Sequence, residues 1–126
     1  MGCWTRYCAI GITDFKNGET TYISSELEEE ISHKLSDELN LGVQFADFDD
    51  VCTEAGAIGI PYSIFMKALI RVSKLYPTCY FDYEGRGEDW DDWYVCRVHN
   101  GRYGEKYAVL PSVNSITELD YDEGDL

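Results

Sequence analysis

The chain of 126 residues carries 24 acidic side chains against 10 basic ones, a formal charge of −14. That balance opposes binding to a phosphate backbone or an anionic membrane surface and points to basic proteins, cations or neutral groups as partners. With 44% hydrophobic and 14% aromatic residues, the sequence predicts one folded domain that buries its own core without disulfide or metal staples.

In chain order, residues 4–12 are aromatic and β-branched enough for a first strand. Asn17-Gly18 then closes a hairpin, with Glu19 to Ile23 returning as a second strand. Ser25 followed by Glu28 predicts a capping box, and Glu30 with Lys34 a favourable pair one turn apart. Leu27, Ile31, Leu35 and Leu39 form the single apolar stripe of this surface helix, which ends near Asn40 to Gly42. Val43 to Phe48 alternates as a strand, and the small-residue run Glu54 to Gly59 predicts a loop. Pro61 opens a core helix running to about Tyr76, with Phe65, Met66, Leu69 and Val72 at helical spacing and Pro77 as its stop.

The C-terminal half reads as a meander. Cys79 to Tyr83, Trp93 to His99 and Tyr103 to Leu110 are its strands, and Asn100-Gly101 is the strongest hairpin signal. The fold class that follows is α+β: an antiparallel sheet with two helices packed on one face, a ferredoxin-like variant as the specific expectation. Residues 1–114 make the domain and residues 115–126 an acidic C-terminal tail.

Chemistry-bearing motifs are few. Cys3, Cys8, Cys52, Cys79, Cys96, His33 and His99 contain no CxxC, so structural zinc is not expected. Five cysteines, no signal-peptide pattern and no apolar run of spanning length predict free thiols in a reducing cytoplasm. A loop centred on Gly87 and Glu88 would set Cys79 opposite Cys96 as a buried thiol pair. No GxSxG or phosphate-binding glycine motif is present, and the expectation is a non-enzymatic protein with no cofactor.

The functional expectation falls on the loop between the first two meander strands. Glu84, Glu88, Asp89, Asp91 and Asp92 surround Trp90, a protein-binding set in which the aromatic anchors and the carboxylates steer a basic partner. Trp93 is expected to be core. The same carboxylates leave open a divalent-cation-binding domain or a cation-dependent enzyme.

The run Tyr83-Glu84-Gly85-Arg86-Gly87-Glu88-Asp89, with Asp92-Trp93-Tyr94 and Asn100-Gly101-Arg102, resembles a pattern of small uncharacterised acidic proteins of bacteriophages and mobile elements. The opening MGCWTRY is similar to the first strand of ferredoxin-like phage domains. That resemblance implies a stoichiometric inhibitor of host defence, of the anti-CRISPR or anti-restriction kind, that blocks a basic nucleic-acid-binding surface without itself binding nucleic acid or membrane. An immunity protein against a basic toxin has the same composition.

Overall fold

The computed structural model describes residues 6–87, 93–107 and 112–126. Within them an antiparallel six-stranded sheet carries three helices, all inserted between the second and third strands. β1 (Arg6–Lys16) and β2 (Glu19–Tyr22) form the expected hairpin. Asn17 and Gly18 take φ of 54° and 81°, the paired left-handed conformation of a two-residue turn whose twist matches the strands.

α1 (Ser25–Glu38) starts one residue earlier than its sequence signal. Ser24, and not Ser25, is the N-cap, its hydroxyl accepting the Leu27 N–H at 3.2 Å. Glu28 is therefore not the return arm of a capping box; its carboxylate accepts the N–H of Phe48 at 3.0 Å. Glu30 accepts the Tyr76 hydroxyl at 2.7 Å, so its side chain ties α1 to the end of the core helix. Ile31, Leu35 and Leu39 are buried as the stripe requires. Asn40, at φ 55°, ends the helix, with Leu41 N–H returning to Ser36 O.

No strand forms over Val43 to Phe48, where the chain is irregular as far as Asp47, and the loop expected after it is the helix α2 (Phe48–Ala57). Two local signals explain the correction. Asp47 caps the helix by accepting Asp50 N–H at 2.8 Å, and Phe48, Val51, Cys52 and Ala55 recur at the helical period and are all buried. Gly59, at φ 76°, stops it, with Ile60 N–H bonded back to Ala55 O and Gly59 N–H to Gly56 O.

α3 (Tyr62–Ser73) follows, with Pro61 as its N-cap. It is the core helix: Phe65, Met66, Leu69, Ile70 and Val72 are 0–1% exposed. Phe65 stacks on Tyr7 with ring centres 4.0 Å apart and meets Tyr83 edge-on at 5.0 Å. Truncating a phenylalanine so enclosed costs about 3–5 kcal/mol.

β3 (Cys79–Arg86), β4 (Tyr94–His99) and β5 (Arg102–Tyr107) form the meander. Asn100 (φ 43°) and Gly101 (φ 85°) close its second hairpin. The rest of the strand expected to reach Leu110 lies outside the described residues. The sheet order is β2-β1-β3-β4-β5-β6, in which β6 (Tyr121–Asp122) adds an edge beside β5. The 115–126 segment thus carries a strand and a short 3-10 turn, Glu123–Asp125, whose Glu123 bonds Arg71 of α3 at 2.7 Å.

The α+β class holds, but the ferredoxin-like arrangement does not. That arrangement splits its helices between two crossovers. Here all three helices fill one crossover, and β1 and β3 are neighbours running antiparallel. The expected pairing of Cys79 with Cys96 is also corrected. Tyr83 stands opposite Cys96, while Cys79 lies at the far end of β3 opposite Asp14 of β1. Cys96 meets a residue four positions further along β3 than assumed, an even shift, so both thiols keep the helix-facing side.

Candidate functional site

β3 and β4 alternate cleanly between two environments. Cys79, Phe81 and Tyr83 with Tyr94, Cys96 and Val98 face the helices and are buried. Tyr80, Asp82 and Glu84 with Arg97 and His99 face the other way. Residues 112–119 cross part of that second face. A Cβ added at Gly104 would lie 2.5 Å from Glu118 O and 2.9 Å from Ile116 Cγ2, so glycine is what lets this strap lie against β5.

Between the strap and the β1–β2 hairpin runs a groove with two lobes of about 530 and 500 Å³ that share Thr13, Thr20, Arg97 and Asn114. Its floor holds a charged pair. Arg97 donates from Nε and Nη2 to the two oxygens of Asp82, at 2.8 and 2.9 Å. Beside them His99 stacks on Tyr80 at 4.2 Å, and the Arg97 guanidinium sits 5.2 Å from the Tyr80 ring centre. The groove's outer wall is apolar and exposed, formed by Ile10, Phe15 and Tyr22. Ile10 is the extra residue of a bulge between Ala9 and Gly11, which turns it outward. The Tyr22 ring lies over Gly11, where an added Cβ would stand 3.0 Å from it.

Of the residues expected to bind a partner, Glu84 lies at the upper end of this groove. Its carboxylate accepts Trp93 Nε1–H at 3.2 Å and pairs with Arg86 at 3.2 Å, while the Arg86 guanidinium covers the Trp93 ring at 4.1 Å. Glu84 therefore clamps the two ends of the loop, and its charge is locally compensated. Trp93, expected as core, stands just ahead of β4 and is half-buried under that arginine. Glu88, Asp89, Trp90, Asp91 and Asp92 lie outside the described residues, as does Cys3.

Charge is segregated elsewhere in a way the sequence order conceals. Residues 24–57, which contain α1 and α2, carry ten carboxylates and a single lysine. Glu26, Glu29, Asp37, Asp49 and Asp50 are exposed, and Glu28 joins Asp47, Asp49 and Asp50 at the start of α2, where the helix dipole favours negative charge. At least five of the ten bases are engaged within the molecule. Lys16 pairs with Asp14, Arg71 with Glu38 and Glu123, Arg86 with Glu84 and Arg97 with Asp82. Arg102 holds the strap by donating to the carbonyls of Leu119 and Asp120 at 2.9 and 3.0 Å.

The described thiols are poor nucleophiles. Burial pushes Cys52 and Cys96 well above the usual thiol range, and raises Cys8 and Cys79 in the same direction. Tyr83 donates to Met66 Sδ at 2.9 Å and lies 3.1 Å from the Tyr94 hydroxyl, a packed polar seam inside the core. Burial above all raises the Tyr83 phenol as well. Among the described residues no group of three or more His, Cys, Asp or Glu side chains is placed to hold a metal ion. No described helix is long and apolar enough to cross a membrane.

No protein-family model, curated protein or solved structure matches this chain.

Proposed function

We propose that this chain is a non-catalytic binding protein that occupies the basic, nucleic-acid-binding surface of a partner protein. The observation that carries the reading is the segregation of charge: a segment, residues 24–57 with α1 and α2, of ten carboxylates and one lysine, in a molecule whose arginines are largely held by its own acids and carbonyls. Exposed carboxylates on a firmly packed pair of helices present fixed negative charge to a basic channel and raise the encounter rate with it. The high pKa directions of Cys52, Tyr83 and Cys96 accord with packing and not with acid–base chemistry.

The loop carboxylates Glu88, Asp89, Asp91 and Asp92, with Trp90, are proposed as further contacts. The partner class implied by the resemblance of residues 83–102 is a nuclease of a host defence system. Capture from cells expressing the tagged chain, followed by mass spectrometry, tests this. The reading expects basic nucleic-acid-binding proteins to be retained at low salt, and to be lost when Glu26, Glu29, Asp49 and Asp50 are replaced together by lysine. Equal retention by the reversed variant would overturn it.

A further inference from the structure

The edge of the sheet at β2 is open. In the register Lys16↔Glu19, Phe15↔Thr20, Asp14↔Thr21 and Thr13↔Tyr22, a two-residue turn makes Lys16–Glu19 and Asp14–Thr21 the hydrogen-bonded pairs. The backbone of Phe15 accordingly points away from β2, and its N–H reaches Thr78 O at 3.1 Å. By the same alternation, the N–H and C=O groups of Thr20 and Tyr22 point outward, away from the sheet. All four residues of β2 are exposed, and among the described residues none of these outward groups has a partner. Such an edge is a template for strand addition.

The side chains beside the edge say what the added strand carries. On the groove side stand Tyr22, Phe15 and Ile10, at 77%, 48% and 44% exposure, an apolar rim next to unpaired backbone. On the opposite side β2 presents Glu19 and Thr21, and the whole chain carries −14. We propose that an extended segment of the partner protein, with apolar and basic residues alternating, adds to the sheet beside β2. Its apolar side chains cover Tyr22 and the groove wall, and its lysines or arginines take the side of Glu19. A second copy of this chain fits less well, since two bodies of that charge repel. The inference rests on the reading of a basic partner and deepens it by naming the docking mode.

The probe is a synthetic peptide of about eight residues, the length of an ordinary strand, alternating valine and lysine. Binding is followed on the full chain through amide NMR shifts and hydrogen exchange. The expected result is slowed exchange at the Thr20 and Tyr22 amides, lost when the peptide's edge-forming amides are N-methylated and lost when glutamate replaces its lysines. Thr20→Pro removes an outward N–H without touching the bonds to β1 and is expected to abolish binding, while the methylated peptide gives the same test on the unaltered protein. Shifts confined to α1 and α2 would overturn strand addition while leaving the basic-partner reading intact. Absence of any peptide binding would overturn strand addition, with the capture experiment deciding the broader reading separately. Protection at Thr20 and Tyr22 that grows with protein concentration, without peptide, would overturn the proposal in favour of a second copy.

Discussion

Arg97 and Asp82 stand directly opposite each other on β4 and β3 and join through two parallel hydrogen bonds of 2.8 and 2.9 Å on the floor of the open-face groove. Asp82 is 4% exposed, so its charge depends on this one partner. Removing one member of such a pair leaves a buried uncompensated charge, at about 3–5 kcal/mol, whereas replacing both by apolar residues is often near neutral. Arg97→Met alone is therefore expected to lower stability by about 3 kcal/mol, and Asp82→Leu with Arg97→Met to recover most of it. Denaturant titration of the singles and the double measures the coupling. Additive losses would contradict the assignment.

The capping assignments separate cleanly. Ser24→Ala is expected to cost about 1 kcal/mol by removing the acceptor of the Leu27 N–H, and Asp47→Ala a similar amount at α2. Ser25→Ala, inside the helix and without that role, is expected to change little. Equal losses at Ser24 and Ser25 in thermal unfolding would contradict the position of the helix start.

These residues also show where the sequence was readable. Both hairpins were legible because Asn17-Gly18 and Asn100-Gly101 need left-handed backbone at two successive positions, which few other pairs accept. α3 was legible because its buried face recurs unbroken from Phe65 to Val72. α2 was not, because Gly56 and Gly59 weaken its helix signal and the residues before it alternate by chance. The groove was not legible either, since it exists only where residues 112–119 fold back over β4 and β5, a non-local arrangement without a sequence period. The β3–β4 register depended on where along the chain the two strands' connection is centred, which composition alone does not set. Of the expected binding residues only Glu84 is described, and its engagement with Trp93 and Arg86 arises from the pairing of β3 with β4, which no local motif marks.

The strap is held by a close approach at Gly104. A methyl group there would stand 2.5 Å from Glu118 O, so Gly104→Ala is expected to lift residues 116–119 from the sheet. Hydrogen exchange should rise at 116–119 and at β6, with the α3 amides unaffected. Unchanged protection of the strap would show that it does not rest on this contact.

Acid should expose the role of Asp14. Hydrogen bonding from Thr78 is the first cause, helped by Lys16, of a carboxyl held below its usual range. Its folded pKa is lower than its unfolded one, so the stability it contributes is fully present above the unfolded value near about 4 and is lost as pH falls through the folded value. Asp14→Asn is therefore expected to destabilise the protein at neutral pH and to narrow its gap from the unaltered chain below about pH 4. A gap in melting temperature that stays constant from neutral to strongly acid pH would contradict this.

The most direct test of the proposed activity is the association rate of the chain with its captured basic partner, measured at low and at physiological salt. The unaltered chain is compared with the variant carrying Glu26→Lys, Glu29→Lys, Asp49→Lys and Asp50→Lys. Electrostatic docking by α1 and α2 predicts a rate that falls about tenfold or more both with added salt and with charge reversal. A rate indifferent to salt and to reversal would contradict the account.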